Sequence, residues 1–382
     1  MHSTVHSTVI IQQERSPVPS PPPARRRPQD RLAALDGLRL LAALMVVAYH
    51  YVAFNSGAWP EPSEKLFPTA YVPASYGWLG VQLFFLISGF VICMSAWGKS
   101  IGDFAVSRAA RLYPAYWFAV LTVSLAVALF PVVNSAPRLS NVAVNLTMLQ
   151  DPFGVAPVDG VYWTLWVEVR FYLLFALVVA WRGLTYRRAV AFCLLWGAAA
   201  AVAATAGSPL LTTLLMPGDA WYFIAGVAFY LMHRFRPNLL LWLIVGGCFL
   251  AGQHFLLEAH RNAEHYMGHR VPQWPSVLLL ALFFAALAAV ALGLTRRITW
   301  GWLSTAGVLT YPLYLLHERM GWIVIKYADG LLPRPLLLVT LVTVMLAAAW
   351  LVHRLVERPL ARLVRQGLRR ALAEIRAGHA QA

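Results

Sequence analysis

Charge is what this chain has least of. Only 12% of its 382 residues are Asp, Glu, Lys or Arg, against roughly 25% in a typical soluble domain, while 59% are hydrophobic. No single water-soluble core can bury that share of apolar side chains, so the expected fold class is all-α, a polytopic membrane helical bundle. Cysteine is nearly absent as well. Cys93, Cys193 and Cys248 sit inside apolar runs without paired spacing, so they read as small buried hydrophobes. Neither a disulfide framework nor a zinc site is indicated, and no metal is expected. Acidic residues number 16 against 31 basic ones, a net charge of +15. That balance would suit nucleic acid, but its distribution along the chain argues for membrane topology instead.

What is abundant is the long apolar run. Ten segments recur, at about 38–55, 78–97, 112–133, 161–181, 189–206, 219–232, 239–255, 277–294, 302–325 and 336–352. Most are long enough to cross a bilayer, the sixth being short. Trp78, Trp97, Trp181, Trp221, Trp300, Trp302 and Trp350 cluster at their ends, as interface anchors do. Residues 1–33 form a proline-rich, basic tail, with Ser16-Pro17-Val18-Pro19-Ser20-Pro21-Pro22-Pro23 running into Arg25-Arg26-Arg27. No apolar signal-peptide core precedes it, so the tail reads as disordered and cytoplasmic. With that tail inside, the inner loops hold Lys99, Arg108, Arg111, Arg182, Arg187, Arg188, Arg234, Arg236, Arg296 and Arg297, followed by an arginine-rich C-terminus. The outer loops hold only Lys65, Arg138, Arg261, Arg270, Lys326 and Arg334. This asymmetry puts both termini in the cytoplasm. Residues 34–358 make one membrane domain, and 359–382 a basic tail or a helix along the inner surface.

Against so apolar a background, ionisable residues inside spans become candidates for function. The first span, Leu35-Asp36-Gly37-Leu38-Arg39 through Tyr49-His50, carries two. Eleven residues at ~100° each make about three turns, so Arg39 and His50 share a face, roughly 16 Å apart along the axis. Arg39 could be a topology charge, and His50 a structural interhelical hydrogen bond. As a base, however, an imidazole suits neutral pH. Before the third span, Ser107-Arg108-Ala109-Ala110-Arg111 places two arginines three apart, a forked pair suited to phosphate or simply two more inner charges. Ser88 and Gly89, in the run Phe84-Phe85-Leu86-Ile87-Ser88-Gly89-Phe90, are small residues of the kind that let helices pack closely. Glu168, in Trp163-Thr164-Leu165-Trp166-Val167-Glu168, falls near the depth of His50. There it could orient an imidazole or pair with an arginine. His317-Glu318-Arg319 sets three titratable residues in a row in the ninth span, which implies a polar cavity between helices.

Taken together these stretches resemble acyltransferase family 3, integral-membrane enzymes that acylate sugars and other hydroxylated acceptors. The resemblance rests on Arg39 and His50 with ten residues between them, Phe84 to Phe90, and Arg108/Arg111 followed by Leu112-Tyr113-Pro114. Trp163-Thr164-Leu165 with Glu168, Phe171 and Tyr172 comes next, then Tyr314-Leu315-Leu316-His317. It spans roughly residues 33–360 and resembles the stand-alone form without a hydrolase-like extra domain. Two positions depart from it: Gln82 stands where relatives often have aspartate, and Val169 where they often have a second glutamate.

The resemblance implies transfer of an acyl group, usually acetyl, from cytosolic acyl-CoA to a hydroxyl of a carbohydrate, a lipid-linked glycan or another hydroxylated acceptor. The setting it implies is a cell membrane, the bacterial inner membrane being the expected one. Arg108 and Arg111 would hold the coenzyme's phosphates. His50 would take the hydroxyl's proton or first accept the acyl group, and Arg39 would stabilise negative charge. Glu168 and His317 are further catalytic candidates, and Ser88, Tyr113 and Trp163 substrate-binding ones. A transporter or flippase for a lipid-linked glycan is the rival reading, since intramembrane His, Glu and Arg also serve proton relay and headgroup binding.

Overall fold

The computed structural model describes residues 32–381 apart from 132, 134, 181 and 182, so almost all of the expected N-terminal tail lies outside the described residues. Among the described residues the chain is helical, with no strand beyond an isolated bridge between Asp329 and Leu332. The long helices are α1 (Ala33–Ala48), α2 (Gly80–Ala96), α3 (Ile101–Leu129), α4 (Trp163–Ala180) and α5 (Tyr186–Thr205). They continue with α6 (Ala220–Phe235), α7 (Leu239–Met267), α8 (Trp274–Ala291), α9 (Gly301–Ala328), α10 (Arg334–Val352) and α11 (Arg358–Gln381). Each of the ten expected spans falls on one of α1 to α10.

Nine segments among the described residues are long and apolar enough to cross a membrane. The expected span over 302–325 is not one of them, although α9 covers it. Its composition is too polar because Thr305, Thr310, His317, Glu318 and Arg319 interrupt the apolar run.

Local signals set the helix ends. Ser100 caps α3 by accepting from Asp103 N at 3.2 Å and donating to Asp103 Oδ2 at 2.8 Å. This start lies eleven residues before the expected one, so Arg108 and Arg111 stand within the helix rather than ahead of it. Asn238 caps α7, accepting from Leu241 N at 3.0 Å. At the other end Gly268 takes a left-handed φ of 70° and donates to the carbonyls of Glu264 and His265.

The short sixth span turns out to be the innermost. Every residue of α6 from Tyr222 to Met232 is buried, so its surroundings there are protein rather than lipid, and with the short helix before it α6 forms the 27-residue apolar segment Pro209–Phe235. It crosses α2 at Gly89 and Gly226. A side chain on Gly89 would run into the Phe223 carbonyl, and one on Gly226 into that of Leu86. The backbones therefore meet with nothing between them, as small residues in membrane helices allow. The three cysteines are free and buried, as expected of small hydrophobes.

Two helices end in π turns. α1 continues into Tyr49–Ala53, and α10 into His353–Glu357, which leads directly to α11. The C-terminal region is thus a helix, packed on α3, with Leu363 and Ile375 exposed among its arginines.

Candidate active site

Among the cavities of the described bundle, two draw on α1, α2, α4 and α9. The larger measures about 1020 Å³ and is lined by His50, Phe54, Gln82, Trp163, Arg170, Asp219, Glu318, Arg319 and Trp322, among others. The smaller measures about 110 Å³ and is lined by Arg39, Ser88, Arg108, Arg111, Glu168, Tyr172, Thr310 and Tyr311, with Phe84 and Phe85. Val81 and Tyr314 line both, so the two cavities share a wall.

In the larger cavity the hydrogen bonds assign the imidazole tautomers. A carbonyl oxygen only accepts, so His317 donates from Nδ1 to Tyr314 O at 2.8 Å. A neutral His317 then offers Nε2 as an acceptor, 3.2 Å from His50 Nδ1. His50 Nδ1 also faces Val46 O at 2.9 Å. The hydrogen of a neutral His50 is therefore on Nδ1, and its Nε2 keeps the free lone pair. That nitrogen lies 3.6 Å from Glu318 Oε2.

The backbone around His50 is pinned to α9 from both sides. Trp322 Nε1 donates to His50 O at 2.9 Å, and Tyr51 OH to His317 O at 2.8 Å. Gly321 makes room for the Tyr51 ring, which a side chain there would strike. Beneath Glu318, Asp159 Oδ2 accepts from Arg319 N at 3.2 Å, and its Oδ1 from Val161 N at 3.2 Å. Burial, and after it the nearby Glu318, raises the Asp159 carboxyl well above the ordinary carboxylate range.

The smaller cavity is built from charge. Arg39, Arg108 and Arg111 face it from α1 and α3, with Glu168 the one carboxylate in its lining. Ser88 Oγ donates to Glu168 Oε1 at 2.7 Å. The guanidinium of Arg111 lies over the Tyr311 ring at 5.2 Å and that of Arg108 over Tyr172 at 5.9 Å. Arg111 is ion-paired to Glu357, at the end of the second π turn, which also faces His353 Nδ1 at 3.0 Å. Arg108 Nε is buried without a hydrogen-bond partner. A cavity with three guanidiniums and one lining carboxylate favours an anionic ligand.

The family model for the acyltransferase domain of acyltransferase family 3 matches residues 32–354. The chain belongs to acyltransferase family 3. It is 27% identical over 379 residues to "Acyltransferase MdmB" of Streptomyces mycarofaciens, which covers 90% of this chain and 94% of that protein. It is 27% identical over 332 residues to "Nodulation protein 10" of Rhizobium leguminosarum bv. viciae, covering 75% and 84%. A shorter stretch of 108 residues is 34% identical to "Exopolysaccharide production protein ExoZ" of Rhizobium meliloti (strain 1021), covering 26% and 33%. No solved structure matches the chain. The protein is thus a multi-pass membrane acyltransferase.

For this family 3 member the residues singled out from sequence divide between the cavities. His50 and Trp163 line the larger one, and Arg39, Ser88, Arg108, Arg111 and Glu168 the smaller. His317 lines neither. It is fully buried behind His50, so it meets the cavity only through its neighbour. Tyr113 lines neither as well: its hydroxyl donates to Thr147 O at 3.1 Å and its ring sits against Trp117.

Of the two readings of Glu168, its place is the one among arginines, with Arg39, Arg108 and Arg111 in the smaller cavity, while the carboxylate beside the imidazole is Glu318. Depth along a span says nothing of azimuth. His317 and Glu318, ~100° apart on α9, flank the imidazole at its two nitrogens. Gln82 lines the larger cavity with its amide oxygen buried and unpartnered, whereas Val169 lines neither. Glu357 went unnoticed in the sequence, because an acidic residue in an arginine-rich tail looks like ordinary surface.

Proposed function

We propose that the protein moves an acyl group, acetyl in the first instance, from acyl-CoA to a hydroxyl of a carbohydrate or similar hydroxylated acceptor. The observation that carries this reading is the shared wall. On one side of Val81 and Tyr314 lies an arginine-lined cavity suited to phosphates. On the other a histidine presents a free lone pair to a cavity of acceptor size. At about 1020 Å³ the latter sits at the upper end of the ~300–1,000 Å³ of ligand pockets.

In this reading Arg39, Arg108 and Arg111 bind the coenzyme's phosphates, and the thioester reaches the wall at Tyr314. The acceptor hydroxyl gives its proton to His50 Nε2 as its oxygen attacks the thioester carbonyl carbon. The tetrahedral intermediate collapses, the C–S bond breaks, and the thiolate takes the proton back from the imidazolium. His317 acts as a positioning residue that keeps the His50 proton on Nδ1. The variant route, in which His50 Nε2 first accepts the acyl group, uses the same atoms.

The excess of basic residues in alternate loops supports an inner, cytosolic face for the arginine cavity and for both termini. It also supports α11 lying along that surface. At about 110 Å³ the arginine cavity is well below ligand-pocket size. Donor binding therefore has to part Arg111 from Glu357 and widen the space. A relative named as an acyltransferase along nearly its whole length supports the reaction class.

The test is coenzyme A release from acetyl-CoA by purified protein in lipid nanodiscs. Release that depends on a hydroxylated acceptor, with one ester formed per coenzyme, is the expected result. Protein that binds acetyl-CoA but forms no ester with any hydroxylated acceptor would defeat the proposal.

A further inference from the structure

The wall of the larger cavity holds two hydrogen-bond acceptors side by side. His50 Nε2 is one, its lone pair fixed there by the bonds of Nδ1. Glu318 Oε2, 3.6 Å away, is the other. Their side chains are 11% and 5% exposed, so each shows the cavity little more than its acceptor edge. Neither can satisfy the other at that separation, because hydrogen bonding requires a donor between them and a shorter distance.

Glu318 is held in place from behind. Gly160 leaves just enough room for its carboxylate, which a side chain at that position would strike. Arg319 Nε lies 3.9 Å from its other oxygen, and Arg319 itself is tied through its backbone to Asp159. Phe54 and Trp322 stack at 5.1 Å and flank the imidazole, with centroids 5.5 and 6.1 Å from it. Phe54 also stacks on Tyr266 at 5.4 Å, and the Arg319 guanidinium lies 5.5 Å over Trp322, so these rings buttress the imidazole.

We infer that His50 and Glu318 together read a vicinal diol, two hydroxyls on adjacent carbons of one ring, and that Glu318 is a specificity-determining residue. This rests on the acyl-transfer reading and deepens it. Gauche hydroxyls on neighbouring ring carbons carry their oxygens about one hydrogen-bond length apart, ~2.8 Å. Their hydrogens can reach two acceptors 3.6 Å apart at once, whereas a trans-diaxial pair diverges. The hydroxyl on His50 Nε2 is the one acylated. Its neighbour donates to the Glu318 carboxylate and fixes the ring. Proton accounting is unchanged, because the acylated hydroxyl's proton passes through Nε2 to the leaving thiolate and the second hydroxyl keeps its own. Glu168 cannot play this part, since it belongs to the other cavity and is bonded to Ser88.

The experiment uses the full-length protein in nanodiscs with acetyl-CoA and, as probes, methyl α-D-mannopyranoside and its monodeoxy analogues. Ester formation and coenzyme A release are followed separately. In the wild type, deleting the hydroxyl next to the acylated one should lower kcat/KM about tenfold to a hundredfold, as loss of a charged hydrogen bond does. In Glu318→Ala the same deletion should cost less than about twofold, because the partner is already gone. Glu318→Gln, which keeps the shape and a carbonyl oxygen, should fall between and serves if the alanine variant does not fold. Equal penalties in wild type and variants would overturn the assignment. So would efficient transfer to the monodeoxy sugars, or coenzyme A release with other acceptors and no ester on any mannoside. Failure to consume acetyl-CoA with any acceptor would instead strike the acyl-transfer reading itself.

Discussion

The two cavities share a wall and four helices yet hold their polar groups in opposite ways. Around His50 every bond is made within the protein and none is exchangeable: a helical carbonyl, a second imidazole, a tryptophan N–H on the backbone. Around Arg111 the principal partner is one carboxylate at the root of the C-terminal helix, and an incoming anion can replace it. The first arrangement pre-orients a lone pair, which is worth most where charge develops during reaction. The second stores positive charge against a removable counter-ion, which suits binding and release. His50, in the larger cavity, stands on the π turn Tyr49–Ala53, and Glu357, which holds Arg111 from outside the smaller one, on His353–Glu357, a helix irregularity often found at functional sites.

That contrast can be broken most severely at His50. His50→Gln keeps size and hydrogen bonding but removes the basic nitrogen, so kcat should drop ~10²–10⁴-fold while acyl-CoA still binds. Near-normal turnover would take the chemistry away from this cavity. Next in size, Arg108→Ala or Arg111→Ala should raise KM for acyl-CoA about tenfold to a hundredfold, with kcat little altered. Lysine should rescue only in part, lacking the planar fork. An effect on kcat alone would mean the two cavities are not divided as argued.

Smaller still, His317→Ala should lower kcat about tenfold, the scale of one lost hydrogen bond of about 1–1.5 kcal/mol. It should leave KM for acyl-CoA in place, because Val46 O continues to hold Nδ1. The smallest effect belongs to Glu357→Gln. Freed of its counter-ion, Arg111 should bind donor about two- to fivefold better, the scale of a partly exposed ion pair. The melting temperature should fall slightly. Weaker donor binding would show that Glu357 orients Arg111 rather than competing for it.

Much of this was open to inspection in the sequence. Apolar runs gave the spans, and Arg39, His50, Ser88, Arg108, Arg111 and Glu168 all line one cavity or the other. Gly89, a small residue in an aromatic run, marks the close approach of α2 to α6. What stayed hidden depends on which helices become neighbours. Periodicity defines faces but not partners, so the meeting of α1 with α9 could not be foreseen. With it went the pairing of Glu318 with His50 and the burial of His317 behind it. The separation of Arg39 from His50 into different cavities needed the position of the wall at Val81 and Tyr314. The early start of α3 could have been caught from Ser100 and Asp103, whose capping pattern precedes the arginines.

The π turn at Tyr49–Ala53 brings His50 and Tyr51 against α9. Because a residue added to or removed from a helix turns everything beyond it by about 100°, one insertion between Arg39 and His50 would swing the imidazole off His317 and Glu318 together. It would also carry Tyr51 and Phe54 out of their contacts with α9 and Trp322. Point substitutions at the less buried positions Leu40, Leu41, Leu44 and Met45 can be absorbed singly, but changes in length cannot. Over evolutionary time the interval between arginine and histidine should drift in composition while its residue count stays frozen.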